Sequence, residues 1–253
     1  MQIARLSVTP VKGTALHHPN EVMLEAYGVA ENRRFFLVDQ QGALLNNSKV
    51  PQLMQVRVDY ESDREHLSFH FPDGSIAEGS AVAVGDPLVV DMWGHDVPTH
   101  LLGGTWTLAL SGFLQTPVRL VRTEHYGGGV DEEPLTLVSS ESIQELSRQA
   151  GLDDVDGRRF RMLLEVSGCE PHEEDTWEGK RLRLGAATIV AGAPVPRCVV
   201  TTKDPETGDK DINVLKLIHD YRGRGAGNTL DFGIYGQVEE PGRVCVGDTV
   251  ELL

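Results

Sequence analysis

Cys198 stands at the end of Ala193-Pro194-Val195-Pro196-Arg197-Cys198, and it is the side chain with the most chemical promise in the sequence. Two prolines stiffen this approach and leave few ladder hydrogen bonds, so Cys198 is expected where a loop enters a strand. Arg197 beside it would favour the thiolate if its side chain lies close, and a thiolate is a soft metal ligand. Val199 and Val200 follow directly, and on local sequence alone an inert core thiol stays open. The other cysteines are Cys169 and Cys245. An odd count without a C-x-x-C pair argues against a disulfide framework or a four-cysteine zinc site.

Positive charge is the second requirement, because the chain carries a formal net charge of −15 and a bound anion would need local cations. The candidates are Lys12, after Pro10-Val11; Arg33 and Arg34, leading into a strand; and Arg158, Arg159 and Arg161. Arg161 is expected inside an apolar strand, Phe160 to Val166, where an unpaired charge is costly. Ser139 precedes a helix, where a hydroxyl caps and free N–H groups bind anions. His172 with Glu173-Glu174-Asp175 reads as a solvated acidic loop. His66 and His70 lie on an alternating stretch, about 13 Å apart, too far to share a metal. Gly223-Arg224-Gly225-Ala226-Gly227 follows a helix rather than preceding one, the wrong context for a phosphate loop.

The elements that must position these residues are mostly short strands. Residues 3–8, 34–39, 55–60, 66–71, 81–84 and 88–90 are expected strands, which suggests a barrel or sandwich. A helix is expected over 105–114, with Trp106, Leu110, Phe113 and Leu114 on one face. Residues 123–134, with Gly127-Gly128-Gly129 and Asp131-Glu132-Glu133-Pro134, read as a linker or a mobile loop over a site. Further on come a strand at 135–138, a helix through Ile143, Leu146 and Ala150 ended by Gly151, and a hairpin around Gly185. A strand at 198–202, a helix at 211–221, and strands at 232–238 and 248–252 complete the reading. With 253 residues and 40% hydrophobic content, the chain suits one large domain or two modest ones. No apolar run reaches the roughly 18 residues of a membrane helix, and the start lacks a signal peptide. A cytoplasmic protein without nucleic-acid or membrane partners is therefore expected.

The chain resembles the MOSC superfamily, in the branch with an N-terminal β-barrel domain that includes amidoxime-reducing components and the molybdenum cofactor sulfurase C-terminal region. Pro10-Val11-Lys12, Asn32-Arg33-Arg34-Phe35, Phe160-Arg161 and Glu174-Asp175-Thr176-Trp177 match short family elements. Pro196-Arg197-Cys198-Val199-Val200-Thr201-Thr202 with Asp204-Pro205-Glu206-Thr207-Gly208 is similar to the longer string R-C-x-x-T-x-x-D-P-x-T-G, and Phe232-Gly233 and Val246-Gly247-Asp248 complete the pattern.

The resemblance implies a mainly β fold with flanking helices: an N-terminal MOSC-type β-barrel domain over 1–122 and a MOSC β-barrel domain over 123–253. It implies a molybdenum cofactor (Mo-molybdopterin), with Cys198 on the metal and Lys12, Arg33, Ser139 and Arg161 holding the pterin. The implied activity is reduction of an N-oxygenated small-molecule substrate with electrons from a separate electron-donor protein. Two alternatives stand beside it: a sulfur-transfer or cofactor carrier using a Cys198 persulfide, and a binding module that has lost the cofactor. Departures from the family pattern motivate the last one. Gly13 stands where relatives often have Ser, Asn32 replaces Asp, Ser48-Lys49 replaces Arg-Gln, and Leu163 replaces Asn.

Overall fold

A computed structural model describes residues 1–253. Its main feature is a seven-stranded sheet in the order Gln2–Leu6, Leu164–Ser167, Leu135–Ser139, Asp231–Glu240, Ala187–Pro196, Arg181–Leu184, Val250–Leu252. Its two ends meet. Ile3 N donates to Asp248 O at 2.9 Å and Gly247 N donates to Ile3 O at 2.8 Å, so the sheet nearly closes into a barrel. Closure removes the open edges that such a sheet would otherwise expose. Only Leu135–Ser139 and Leu164–Ser167 pair in parallel. Their crossover carries helix α2, Ser140–Ala150, as a parallel connection requires.

The strand at the start of the chain thus sits in the sheet built by the second half. Glu21–Leu24 does the same by pairing with Gly242–Cys245. Residues between them and Thr123 form a five-stranded sheet, ordered Leu44–Leu45, Phe35–Val38, Arg119–Thr123, His95–Leu102, Ala83–Met92, and a meander of Arg57–Glu61, His66–His70 and Ile76–Ser80. Helix α1, Trp106–Leu114, packs its Trp106, Leu110 and Leu114 face into that half's core, as its periodicity predicts. Strands expected at 81–84 and 88–90 are one long strand, Ala83–Met92, with a register shift before Pro87. The third helix, α3, spans Val214–Arg222 and is capped by Asn213, three residues later than expected.

Two expectations around the candidate residues need correcting. Residues 199–202 are not a strand but a 3₁₀ helix, with Cys198 extended at its N-cap. Thr201 donates to Cys198 O from both N and Oγ1, and this local bonding outcompetes a ladder. Arg161 is not inside a strand either. It follows the 3₁₀ turn Gly157–Phe160 in the left-handed region (φ 54°), and the strand begins only at Leu164. The cost of its charge therefore comes from burial at this turn rather than from a place inside a strand.

Candidate functional site

Lys12 and Arg33 are brought side by side by backbone pairing. Arg33 N donates to Thr9 O, Phe35 N to Pro10 O and Lys12 N to Phe35 O, at 2.6, 2.9 and 2.8 Å. Asn32 fixes this turn by accepting from Thr9 N at 3.1 Å, so the Asp-to-Asn departure leaves a structural role intact. Gly13 is required where it stands. Its φ is +93°, and a Cβ there would lie 3.2 Å from Asn47 N.

Arg161 and Arg197 join them. Arg33 Nη2 donates to Arg161 O at 3.1 Å, while Arg197 Nη2 donates to Phe160 O, so two successive carbonyls tie the two guanidiniums to one turn. Arg161 Nη2 donates to Thr14 O at 2.6 Å. Arg197 also lies over the Phe160 ring and touches Met162 Sδ, and its Nε is buried without a partner. Arg33 and Arg161 both adopt left-handed backbone, an uncommon state costing on the order of 1–3 kcal/mol that clusters at functional sites.

One carboxylate faces these four cations. Lys12 Nζ lies 2.8 Å from Asp131 Oδ1 and Arg33 Nη1 lies 3.5 Å from Oδ2. Lys12 Nζ also donates to Gly129 O at 2.8 Å. Burial lowers the Lys12 pKa to about 8, with Asp131 opposing and Arg33 and Arg161 assisting. Burial works to raise the Asp131 pKa, but Lys12 and Arg33 hold it far below the carboxylate range. Burial, and then Arg33, lowers Arg161. Four cations against one carboxylate leave an uncompensated positive site in an acidic protein. Asn47, whose backbone abuts Gly13, adds a buried amide Nδ2 without a partner. Unsatisfied donors and excess positive charge together fit an anionic group such as a pterin phosphate.

Cys198 is exposed, one residue from Arg197. The 3₁₀ turn behind it is clamped by Arg159, which is 2% exposed and donates to Thr201 O, Lys203 O and the Asp211 carboxylate. A cavity of about 540 Å³ opens at Pro196, lined among others by Tyr235, Glu132, Glu133 and Glu178. Tyr235 holds its proton tightly, because burial and then Glu132 and Asp131 raise its pKa.

Other candidates lie elsewhere. Ser139 is fully buried at the α2 N-cap, where its Oγ accepts from Ser142 N and donates to Glu174 Oε2 at 2.9 Å. Its partners belong to α2 and the Glu173–Trp177 turn, not to the cationic cluster. The reading of 172–175 as a solvated loop is overturned there. Glu174 is 0% exposed, bonded by Ser139 and Ser142, and its pKa is raised by burial. Asp175 pairs with Arg222. Lys49 does not reach the cluster: its Nζ donates to Leu44 O at 2.8 Å. Leu163 is core, 3% exposed. Arg34 stacks over Tyr126 and Arg158 pairs with Asp156 and Glu206. His66 and His70 face separate carboxylates, Glu78 and Asp59. Asp131 and Tyr235 were not legible as site residues. The glycine run beside Asp131 was the available signal, since a Cβ on Gly129 would fall 1.8 Å from Arg33 O.

Among relatives, the protein named mitochondrial amidoxime reducing component 2 from Macaca fascicularis is 28% identical over 98% of this chain and 82% of its own length. Mitochondrial amidoxime-reducing component 1 from Mus musculus is 25% identical over 99% and 82%. A molybdenum cofactor sulfurase from Caenorhabditis briggsae is 26% identical over 92% of this chain but only 33% of its own length. Among solved structures, the YUAD protein of Bacillus subtilis aligns over 99% of this chain and 94% of that one, with a TM-score of 0.47 and 12% identity. The family model described as the MOSC N-terminal beta barrel domain matches residues 1–100, and the one described as the MOSC domain matches residues 123–251. The chain belongs to the MOSC family.

Proposed function

We propose that this protein holds a molybdenum–pterin cofactor through Cys198, Lys12, Arg33, Arg161 and Arg197, and reduces N-oxygenated small molecules. The observation that carries the reading is the convergence of four cations around one carboxylate, with Arg197 leading directly to an exposed thiol. When bound, the cofactor would supply the two-electron, oxygen-accepting chemistry. The chain's own contribution is binding and placement. Lys12, Arg33 and Arg161 supply positive charge for the anionic end, and Cys198, next to Arg197 in the chain, supplies the metal's soft ligand. The reduction is R–NH–OH + 2 e⁻ + 2 H⁺ → R–NH2 + H2O, with the electrons coming from a separate donor protein. Its substrate would enter the recess at Pro196, whose Glu132, Glu133 and Glu178 disfavour an anion.

The test is metal content. Protein purified from a molybdenum-replete host should carry stoichiometric molybdenum. Cys198→Ser should lose it, while Cys169→Ser and Cys245→Ser keep it. Metal-free wild-type protein from such a host would overturn the reading.

The exposed Cys198 sulfur, with no hydrogen-bond partner of its own, supports one other reading. A persulfide could form there by transfer from a separate sulfane-sulfur donor, for delivery to another enzyme. An added sulfur on Cys198 by mass spectrometry, with no turnover of N-hydroxylated compounds, would favour it.

A further inference from the structure

The turn of the Ala83–Met92 and His95–Leu102 hairpin reaches the cationic site. At its tip Trp93 adopts left-handed backbone (φ 59°) and is 58% exposed, yet its Nε1 donates to Asp131 Oδ1 at 2.8 Å. That oxygen also receives Lys12 Nζ at 2.8 Å. Asp131 thus joins three separate pieces of chain: the hairpin tip, the Lys12–Arg33 turn and its own 124–134 segment, which contains neither helix nor strand.

The Asp131 side chain is 48% exposed, so its carboxylate can leave for water without crossing the core. Lys12 and Arg33 cannot move as readily. Lys12 is buried, and the Arg33 guanidinium is bonded to Arg161 O. The carboxylate occupies the position at which an incoming oxyanion would take up the same two cations. A carboxylate oxygen and a phosphate oxygen accept the same N–H donors at the same distances, so both cannot be there at once.

We propose that Asp131 is a displaceable internal counter-ion, latched by the Trp93 indole, and that a compact oxyanion binding at Lys12 and Arg33 expels it and frees the hairpin tip and the 124–134 segment. Trp93 adds no charge but holds Asp131 in place, so it biases the closed state. Ligand affinity is then reduced by the fraction of molecules that stand open. The expelled segment continues into Glu132 and Glu133, which line the recess at Pro196, so anion binding also reshapes that recess. The latch rests on the anion site, not on the metal, and its test needs no molybdenum.

Inorganic phosphate is the probe, titrated into the 253-residue chain made in a host that lacks the cofactor and followed by calorimetry and by the indole ¹H–¹⁵N NMR signal. Trp106 and Trp177 are fully buried, and Trp93→Phe identifies the third signal. Phosphate should shift the Trp93 indole resonance as its bond to Asp131 breaks. Trp93→Phe should bind phosphate roughly five-fold more tightly, the scale of one hydrogen bond. Asp131→Asn, which removes the competing charge but keeps an oxygen able to accept from Trp93 Nε1, should bind at least about ten-fold more tightly, and Asp131→Ala, which removes both, should show its Trp93 signal at the open position before phosphate is added. A bare charge effect of Asp131 would instead leave Trp93→Phe at wild-type affinity, which overturns the latch. Phosphate binding that leaves the Trp93 signal unmoved overturns it too, as does the absence of phosphate binding in both wild type and Asp131→Asn. Molybdenum content decides the function proposed above separately from any of these results.

Discussion

Lys12 carries a charge whose persistence depends on pH, and it loses that charge before the buried arginines beside it do. Burial holds it at about 8, against 10.5 for an unperturbed lysine, whereas the buried guanidiniums of Arg161 and Arg197 are lowered only to about 9 and about 10. Affinity for sulfate, which stays a dianion throughout this range, should therefore hold steady well below pH 8 and weaken as pH rises through it. Calorimetry at pH 7 and 9 should show several-fold weaker binding at the higher value, and Lys12→Met should be weak at both. Equal wild-type affinity at the two pH values would sink the assignment. The stability sign is the opposite. Between pH 8 and 10.5 the unfolded chain holds more protons at this position, so the Lys12 contribution to stability rises with pH across that window. Lys12 and Arg33 could be named as candidates because Lys12 follows Pro10-Val11 at an expected strand end, Arg33 leads into an expected strand, and the family resemblance singles out both. Asp131 was not, because a carboxylate in an acidic loop looks like solvated charge until the fold places it on two cations.

At the scale of elements, helix α2 shows why Ser139 suited two roles on sequence grounds. A serine before a helix caps it and can also bind an anion, and only the neighbours decide. Here the Glu174 carboxylate already takes both the Ser139 N–H and its hydroxyl, with Ser142 completing the set. Ser139→Ala should therefore lower stability by about 1–3 kcal/mol in urea denaturation, through loss of the cap and of one donor to a buried carboxylate. Molybdenum and phosphate binding should be unaffected. Unchanged stability with lost binding would reassign Ser139 to the cofactor. The strands and α1 followed from apolar alternation and helical periodicity, which are properties of single segments. The 3₁₀ turns at Cys198 and before Arg161 escaped that reading. Thr201 bonding back to Cys198 O, and Arg159 clamping the turn from 42 residues away, are contacts no local period encodes.

For the whole molecule, the first thirty residues bear on the nearly closed seven-stranded barrel as strongly as the strands of the second half do. Ile3, Leu6, Val22, Leu24 and Val29 supply five of the nineteen residues in its core cluster. Full burial of five such side chains is worth roughly 7–15 kcal/mol as an upper estimate. A domain's entire stability is only about 5–15 kcal/mol. The first strand also satisfies the backbone of its neighbours on both sides, pairing with Leu164–Ser167 and bridging to Thr249. Without it the barrel is left with an open edge and an exposed apolar face. A chain of residues 124–253 alone should therefore lack cooperative unfolding and near-UV circular dichroism. Supplying residues 1–30 through a flexible linker should restore both. Cooperative unfolding of 124–253 alone, at a stability near that of the full chain, would show that the N-terminal strands are accessories to the barrel and not part of its closure.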